Sequence, residues 1–376
     1  MQKAGIYIHI PFCTVKCMYC DFYSITERKD SINRFIEAIN KEIERCSVDV
    51  SQWIFDTIFI GGGTPSLLNG RQIEKIISAL YKKYDLSHVI EFTIEANPGE
   101  ASIDNLKAFK NLGINRLSIG AQSLQPKILS FLTRIHNREQ IFKTYNNARS
   151  IGYENINIDL IHSVPGQTPQ LWKRDLKDII ELQPEHISAY GLTVEKGTDL
   201  FTMVKKKIVN MPKEDENVDF FEDTIKEMKS NNYDLYEISN FSKSNFHCKH
   251  NIHYWEIDPY LGFGPSAHSF DIKYRWNNTK NLDGYLQKIR SNKTTISKIE
   301  LLSEENKVNE IIGFGIRMFK GIDLNKLPKL YKRKLEEKLL LAKNKFRNCF
   351  IYGNNHIRLS EKGMLFADQI TIDLMF

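Results

Sequence analysis

Three of the six cysteines in the chain lie within eight positions, in the segment HIPFCTVKCMYCDFYS (residues 9 to 24). Cys13, Cys17 and Cys20 have the spacing C-x3-C-x2-C. A closed structural zinc site normally takes four protein ligands, and iron–sulfur cubanes also usually take four thiolates. With three thiolates, one iron of a 4Fe-4S cluster keeps an open position where a small molecule can bind. The spacing therefore predicts a 4Fe-4S cluster with three cysteine ligands. The absence of a fourth cysteine ligand is then the functional feature.

Two other interpretations of these cysteines stay open from the residues alone. The thiols are small buried side chains that happen to cluster, or they belong to a zinc site that a distant histidine or Cys248 completes. The short loop and its aromatic neighbours Phe12, Tyr19 and Phe22, which would keep water away from a cluster, favour iron–sulfur.

Further polar and glycine-rich segments follow or end stretches that have the pattern of strands. The glycines of GGGTPS (61 to 66) would let the backbone approach a ligand closely, although a GGG alone also suits a simple turn. The other segments are EANP (95 to 98), GAQS (120 to 123) and HSVPGQT (162 to 168). Because sites in a parallel sheet or barrel gather at the C-terminal ends of the strands, we expect these segments to converge.

The elements that would position these segments alternate between strand and helix. Amphipathic segments such as INRFIEAINKEIERC and RQIEKIISALYKKY separate six short apolar or alternating runs. The runs are GIYIHI (5 to 10), IFDTIFI (54 to 60), IEFTIEA (90 to 96), INRLSIG (114 to 120), NINIDLI (155 to 161) and HISAYGL (186 to 192). This alternation predicts βα units around a parallel sheet, an α/β fold.

Composition places the chain among ordinary globular proteins. It has 376 residues, of which 41% are hydrophobic and 26% charged, enough for one large α/β domain and a smaller one. No run approaches the roughly eighteen apolar residues of a membrane span, and the N-terminus shows no signal-peptide pattern. We therefore expect a cytoplasmic protein with reduced thiols, since the six cysteines do not form a disulfide framework.

Positive charge is concentrated near the C-terminus. The net charge is +6, and residues 326 to 347 carry nine Lys and Arg against Glu336 and Glu337 on a leucine-rich helical pattern. This stretch is either the solvated face of a packed helix or a surface for peripheral membrane association. No nucleic-acid module and no basic stripe interleaved with aromatics is present, so we expect no nucleic acid partner.

The cysteine loop and the glycine loop together resemble the radical S-adenosylmethionine (SAM) superfamily. The resemblance rests on C-x3-C-x2-C, with Tyr19 just before the third cysteine, and on GGGTPS after the next strand. It implies a partial (βα)6 radical SAM barrel with a smaller, mainly helical C-terminal domain. It also implies that SAM chelates the open iron and is cleaved reductively there, the cofactors carrying the chemistry.

Several longer segments are similar to the oxygen-independent coproporphyrinogen III oxidases and to the related HemW-type heme chaperones. They are YIHIPFC, YCDFYS, FIGGGTPS, NIDLIHSVPGQT, YEISNFSKSNFHCKHNIHYW and GFGIRMFKGID, so the similarity covers nearly the whole chain. The family motifs imply a cofactor-binding role for residues at the strand ends, with Arg134 suited to a carboxylate and Asp159 and Glu95 suited to a ribose or ammonium group. The implied set is Tyr7, Tyr19, Gly62, Gly63, Thr64, Glu95, Gln122, Arg134, Asp159, Gly191 and His268.

Two departures separate the oxidase from the chaperone. The oxidase pattern has a further cysteine where this chain has Phe22, and it has an N-terminal extension that we expect to be missing here, since Cys13 is preceded by only twelve residues.

The segment HNIHYW (250 to 255) matches the H-N-x-x-Y-W motif of the heme chaperones. His250 then offers an axial ligand for heme iron, with His253 on the same face if the segment is helical. Tyr254 and Trp255 would supply aromatic surface for a porphyrin. Cys248 is a weaker candidate ligand, because a single buried cysteine is more often inert.

These inferences predict a radical SAM core barrel over residues 1 to 235, a connecting segment with HNIHYW over 236 to 289, and a C-terminal helical domain over 290 to 376. The favoured function is a heme chaperone that binds the cluster, SAM and heme and delivers heme to apo-hemoproteins. The alternative is an oxidase that decarboxylates coproporphyrinogen III to protoporphyrinogen IX by SAM-derived radical chemistry. A radical SAM enzyme for an unrelated substrate fits the cysteine loop but leaves HNIHYW unexplained.

Overall fold

A parallel sheet forms the centre of the molecule. The computed structural model describes residues 1 to 26 and 28 to 376, and within that part of the chain twelve strands join one sheet. Its middle six strands are parallel and neighbour one another in chain order. They are β1 (Gln2–Ile10), β2 (Trp53–Gly62), β3 (Glu91–Ala96), β4 (Arg116–Gln122), β5 (Asn155–His162) and β6 (His186–Gly191). The predicted six strands and the partial (βα)6 barrel are confirmed.

Helices connect and cover these strands. They are α1 (Ile32–Arg45), α2 (Gly70–Lys83), α3 (Ile103–Asn111), α4 (Pro126–Phe131), α5 (Arg138–Ile151), α6 (Pro169–Glu181), α7 (Asp199–Lys205) and α8 (Glu214–Ser230). In α1 the residues Ile32, Phe35, Ile36, Ile39 and Ile43 are buried, at the spacing of one helical face. The sequence therefore forms helices here because one apolar stripe can pack against the sheet.

Polar side chains on the parallel strands point to the interior of the barrel. In β5, Ile156 and Ile158 are fully buried in the apolar core, whereas the alternate residues Asn157 and Asp159 line an internal cavity. Successive side chains of a strand face opposite sides, so the same alternation places Glu95 of β3 in the cavity wall. The fold thus separates an outer apolar layer from an inner polar one.

The sheet continues beyond both sides of the parallel core. On the β6 side lie two antiparallel strands, and on the β1 side lies a parallel strand followed by three antiparallel pairings. These elements are β7 (Asp234–Glu237), β8 (Asn240–Ser242), α9 (Lys249–Glu256), β9 (Tyr260–Phe263), β10 (His268–Phe270), β11 (Tyr274–Asn278), α10 (Leu282–Arg290) and β12 (Ile296–Leu301). The domain boundaries at 235 and 290 stay predictions, and the sheet runs across both positions.

The remaining C-terminal part is mainly helical and contains a small antiparallel sheet of three strands among the described residues. Its elements are α11 (Glu304–Gly315), β13 (Ile322–Asp323), α12 (Lys329–Lys345), β14 (Phe350–Gly353), β15 (His356–Leu359), α13 (Glu361–Met364) and α14 (Ala367–Leu374). The basic stretch forms α12, which buries Leu335 and Leu339 while Leu340 and Leu341 are 67% and 73% exposed. None of the helices in the described ranges combines the length and the apolar character that crossing a membrane would need.

Candidate functional site

The three clustered cysteines lie on the loop between β1 and α1. The base of the loop is closed because the Cys13 amide donates to the Ile25 carbonyl at 2.9 Å and the Ile25 amide donates to the Pro11 carbonyl at 2.7 Å. A tight turn brings the Cys20 amide to the Cys17 carbonyl at 3.1 Å. All three thiols are half-buried and free of disulfides, and burial raises the pKa of Cys13 and Cys20, the latter to about 11. The loop therefore presents three sulfurs in a sheltered place.

In the described part of the chain, the three sulfurs are not gathered as the ligands of one metal ion. Among the residues that the structure describes, no three His, Cys, Asp or Glu side chains converge closely enough to hold one metal ion. A single zinc ion needs its ligand atoms close together, whereas the thiolates of a cubane bind different irons and lie further apart. Cys248 is fully buried elsewhere, with its sulfur 3.6 Å from a Glu91 oxygen. It does not complete a zinc site with the loop.

The glycine loop after β2 packs directly against the cysteine loop. The Gly63 amide donates to the Ile10 carbonyl and the Thr64 amide donates to the Phe12 carbonyl, both at 2.7 Å. The Thr64 hydroxyl lies 3.5 Å from the Cys13 sulfur. A Cβ atom on Gly63 would come within 2.6 Å of the Phe12 carbonyl oxygen and 3.0 Å of the Cys13 sulfur. Only glycine permits this approach without a shift of the backbone.

We expect Gly63→Ala to reduce the amount of iron that the protein incorporates, because the added methyl group would displace the Phe12 carbonyl and the Cys13 sulfur. Gly353→Ala is the matched control, since a Cβ there has no neighbouring atom within 4 Å. Iron and sulfide are assayed after anaerobic reconstitution of both variants. Equal iron content in the two variants would contradict the role assigned to the close approach at Gly63.

A cavity of 510 Å³ lies inside the barrel beside these loops. Six of the residues predicted from the family motifs line it, namely Tyr7, Gly62, Glu95, Asp159, His250 and His268. The structure thus brings together residues that are up to 261 positions apart in the chain, from Tyr7 to His268. Of the segments expected to converge, GGGTPS and EANP reach the cavity through Gly62 and Glu95, whereas the described lining includes no residue of GAQS or HSVPGQT.

Two half-buried carboxyl groups give the cavity its electrostatic character. Glu95 accepts a hydrogen bond from the Gly62 amide at 3.0 Å, and burial together with the nearby Asp159 raises the pKa of Glu95 to about 8. Asp159 accepts from the Ser118 hydroxyl at 3.0 Å and from the Asn157 amide group at 2.8 Å, while burial raises its pKa. A cation or a sugar diol placed here would stabilise the ionised carboxylates. The pair therefore suits an ammonium, sulfonium or ribose group.

Arg134 bridges the cavity region to the cysteine loop. One guanidinium nitrogen lies 3.5 Å from the Cys17 sulfur, and the other donates to the Asn97 side chain at 2.5 Å and to the Gly120 carbonyl at 2.7 Å. Acidic neighbours, including the Tyr19 hydroxyl and the Cys17 thiol, outweigh the effect of burial and raise the pKa of Arg134. A fixed cation next to the cysteines can bind the carboxylate of an amino-acid ligand.

The other predicted cofactor residues lie around the cavity rather than in its wall. Tyr19 packs in a small apolar cluster with Ile128 and Leu132. Gln122 has a positive φ of 66° at a bulge between β4 and β5. Gly191 ends β6, where an added Cβ would meet the His162 ring at 3.3 Å. Contacts between these side chains and SAM stay predictions.

Arg116 is a cavity residue that the sequence reasoning missed. It is 2% exposed on β4, and its Nε has no hydrogen-bond partner among the described residues. Burial lowers the pKa of Arg116, but acidic groups that include Glu91 and Asp159 outweigh this effect and raise it. Alternation within β4 was the available signal, since Arg116 and Ser118 share the inward face with Gly120. A buried arginine gives the cavity a second site for an anionic group.

The HNIHYW segment lies within helix α9, so the condition for His250 and His253 to share a face is met. The Glu91 carboxylate of β3 accepts hydrogen bonds from the Lys249 and His250 amides at 2.9 Å each. A carboxylate at a helix N-terminus satisfies free amides and interacts favourably with the helix dipole. Glu91 therefore fixes the start of α9, and with it the position of His250.

His250 is held on both ring nitrogens by protein groups. Its Nδ1 lies 2.8 Å from the Thr57 hydroxyl and its Nε2 lies 2.9 Å from the Tyr254 hydroxyl, while its ring stacks on Phe59. The side chain is 1% exposed, and burial lowers its pKa to about 3, so the imidazole is neutral. Gly5 makes room for it, because a Cβ there would come within 2.9 Å of the ring. Iron ligation by His250 would require one of these hydrogen bonds to open.

The other residues of the motif have structural partners. His253 lies between Asp56 and Asp258, with nitrogen–oxygen distances of 2.7 and 2.8 Å. Tyr254 lines the barrel cavity, whereas Trp255 packs edge-on against Phe314 of α11. Of the two aromatic residues expected to face a porphyrin, only Tyr254 therefore faces the barrel cavity.

We expect the ionised His253 to make the stability of the protein depend on pH. Burial lowers its pKa, but the carboxylates of Asp56 and Asp258 outweigh burial and raise it to about 9. A histidine with a raised pKa stabilises the fold fully below its unfolded pKa of about 6.5, and this contribution is lost as the pH rises through 9. Lys3, 3.3 Å from Asp56, and the neutral His250 are the other titratable groups that face the cluster.

The measurement is the free energy of unfolding in urea between pH 6 and 10, for the wild type and for His253→Gln. The wild type should lose stability over this range, and the variant should lose less. Parallel pH profiles would show that His253 is not ionised in the fold.

Comparison with known proteins gives sequence relatives that cover the whole chain. Residues 7–182 match the Radical SAM superfamily. The chain is 31% identical to "Heme chaperone HemW" of Lactococcus lactis over 100% of this chain and 94% of that protein. It is 32% identical to the protein of the same name from Bacillus subtilis, over 88% of this chain and 87% of that one.

The fold is also that of a solved enzyme. Coproporphyrinogen III oxidase (HemN) from Escherichia coli, described as a radical SAM enzyme, superposes with a TM-score of 0.85 over 100% of this chain and 90% of that one. The sequence identity is 23%, so this likeness concerns the fold.

Proposed function

Because this chain belongs to the HemW family of heme chaperones within the radical SAM superfamily, we propose that it binds heme and delivers it to apo-hemoproteins. The observation that carries the proposal is the position of the HNIHYW helix. This helix lies against β1 and β2, and His250 and Tyr254 are in the wall of the barrel cavity. Phe22, which occupies the position of the further oxidase cysteine, lies at the same cavity and is 64% exposed.

The superfamily implies a 4Fe-4S cluster and SAM, and the residues of this chain suit both. Cys13, Cys17 and Cys20 would hold three irons, with the glycine loop closing over the Cys13 sulfur. Arg134 would bind the carboxylate of SAM, and Glu95 and Asp159 would bind its ammonium and ribose groups. When bound, the cluster and SAM supply one-electron chemistry at this end of the barrel. The protein groups would bind and orient these ligands.

His250 is the motif-based candidate for a heme ligand, and its neutral imidazole has the required protonation state. For Nε2 to bind iron, its hydrogen bond with the Tyr254 hydroxyl would have to open. Cys248 is a poor candidate, since burial raises its pKa and its sulfur faces Glu91.

The oxidase function is the second candidate because the residues that the superfamily motifs imply for the cluster and SAM are present in this chain. The three cysteines and the glycine loop adjoin the 510 Å³ cavity, which could also hold a porphyrinogen next to the cofactors. Arg116 and Lys280 in the wall of that cavity are suited to the carboxylates of a porphyrinogen.

We also propose that α12 supports peripheral association with membranes, in a cytoplasmic protein that meets hemoproteins there. Leu330, Leu340 and Leu341 are more than 60% exposed and share a helix with seven Lys and Arg residues. Exposed leucines among cations suit the headgroup region of an anionic bilayer. Vesicles with anionic lipid should sediment the wild type but not Leu340→Glu/Leu341→Glu, and equal sedimentation would contradict the proposal.

The chaperone function is tested by heme transfer. The anaerobically reconstituted protein is loaded with one equivalent of heme, freed of excess, and mixed with a soluble apo-cytochrome b. The proposal predicts that the Soret band of the holo-cytochrome appears faster than heme dissociates from the loaded protein alone. Transfer at the rate of simple dissociation would contradict chaperone activity.

A further inference from the structure

A second cavity of 450 Å³ lies on the outside of the barrel, between β7, α9 and the segment after α11. It and the barrel cavity lie on opposite faces of α9. His250 and Tyr254 face the barrel, while Ile252 and Glu256 line the outer cavity. Residues four positions apart share one face of a helix, so this division follows from the helical period. The motif helix is thus a common wall of two cavities.

The outer cavity has a fixed frame. The Phe319 amide donates to the Tyr236 carbonyl and the Ile238 amide donates to the Arg317 carbonyl, both at 3.0 Å. Tyr236 is 5% exposed, and its hydroxyl lies 2.8 Å from Nε2 of His186. These bonds tie the C-terminal part to β7, so the two sides of the cavity are held at a set separation. Cavities at such junctions are common sites for small ligands and cofactors.

His247 offers an imidazole to this cavity. Its ring stacks on Tyr236 with the centroids 4.4 Å apart and the planes 19° from parallel. No hydrogen bond to either ring nitrogen is formed by any group in the described part of the chain, in contrast to His250 and His253. Burial and the neighbouring Lys249 lower the pKa of His247, against the opposing effect of Asp234. The imidazole is therefore neutral, oriented and free of competing partners.

The remaining surface suits a flat apolar ligand that carries two negative charges. Met318 is 7% exposed, and Phe319 is 40% exposed with the Arg358 guanidinium 4.4 Å above its ring. Lys320 on the rim pairs with Glu256 at 2.9 Å, and Lys229 pairs with Glu361. Half-exposed ion pairs of this kind contribute little to stability, so both lysines can exchange their partners for a ligand. Asp234 also lies on the rim, so the negative groups of a ligand would have to lie away from this carboxylate and next to the lysines.

We propose that heme binds in this outer cavity, with the His247 imidazole as an iron ligand and with Lys229 and Lys320 paired to the two propionates. This inference rests on the proposed heme-carrier function and adds a site to it that is separate from His250. Heme at the outer cavity does not require the hydrogen bonds of His250 to open. It would also lie at the molecular surface, where an acceptor protein can reach it.

The test is a titration of the reconstituted full-length protein with ferric heme, followed in the Soret region. His247→Ala is compared with His250→Ala, and His88→Ala, an exposed histidine that does not line this cavity, is the control. The inference predicts an affinity at least tenfold lower for His247→Ala, about 1.4 kcal/mol, with an altered Soret maximum. Lys320→Gln should also reduce the preference for heme over heme dimethyl ester, which lacks the propionate charges.

The outcomes separate the two proposals. Heme binding that is unchanged in His247→Ala but lost in His250→Ala would overturn the outer site and leave the carrier function standing. Absence of heme binding by the wild type would overturn both. If His247→Ala lowers the affinity but Lys320→Gln does not alter discrimination against the ester, the placement of the propionates is wrong.

Discussion

The variant in which Cys13, Cys17 and Cys20 are all replaced by serine is expected to lose essentially all bound iron and the broad visible absorbance of the cluster. Serine at these positions removes every thiolate that the site provides, and thiolates are the ligands that iron–sulfur clusters require. The loop carries half-buried side chains outside the main apolar core, so the fold should persist. Iron, sulfide and visible absorbance are measured after anaerobic reconstitution, together with circular dichroism.

Cys46→Ser is the control for this experiment, because Cys46 is also half-buried but lies at the end of α1. The control should retain the full cluster. A triple variant that folds and still binds stoichiometric iron would show that the ligands lie elsewhere in the chain.

Glu42→Ala is expected to lower the free energy of unfolding by about 3 to 5 kcal/mol, the range for removing one partner of a buried charged network. The Glu42 carboxylate of α1 is buried and accepts four hydrogen bonds. Burial raises the pKa of Glu42, and the four hydrogen bonds offset only part of this effect. The four donors are the Tyr285 hydroxyl at 2.6 Å, the Asn278 amide group at 2.6 Å, the Gly264 amide at 2.8 Å and the Thr295 hydroxyl at 3.0 Å.

These donors lie between residues 264 and 295, in β11, α10 and the adjoining loops beyond β1, so the carboxylate joins that extension to the barrel. Truncation leaves several buried donors without an acceptor. Urea unfolding compares Glu42→Ala with Glu42→Gln, which retains one acceptor oxygen and should lose less, and with Glu37→Ala on the exposed face of the same helix. A loss for Glu42→Ala no larger than that for Glu37→Ala would contradict the anchoring role.

The parts of the fold that sequence reasoning predicted are those with a local signal. The alternation in NINIDLI predicted β5 because its apolar residues face the helices and Asn157 and Asp159 face the cavity. The cysteine spacing predicted one loop, and the three thiols lie on one loop. Local patterns suffice where the hydrophobic period decides the structure.

The parts that were missed depend on contacts between distant residues. The Glu91 cap on α9 joins residues 158 and 159 positions apart, and the His253–Asp56 pair joins residues 197 positions apart. Nothing in the HNIHYW pattern indicates that both ring nitrogens of His250 form hydrogen bonds with protein side chains. Likewise, β9 joins β1 as a parallel neighbour only because the chain returns across the barrel. Such pairings are set by the global fold rather than by local propensity.

The chaperone function and the oxidase function can be distinguished in one reconstituted sample. The most direct measurement is anaerobic incubation of the full-length protein with SAM, a reductant and coproporphyrinogen III, with the products separated by chromatography. The same preparation is then titrated with heme. We expect stoichiometric heme binding and no protoporphyrinogen. Repeated turnover of coproporphyrinogen III to protoporphyrinogen IX would contradict this expectation.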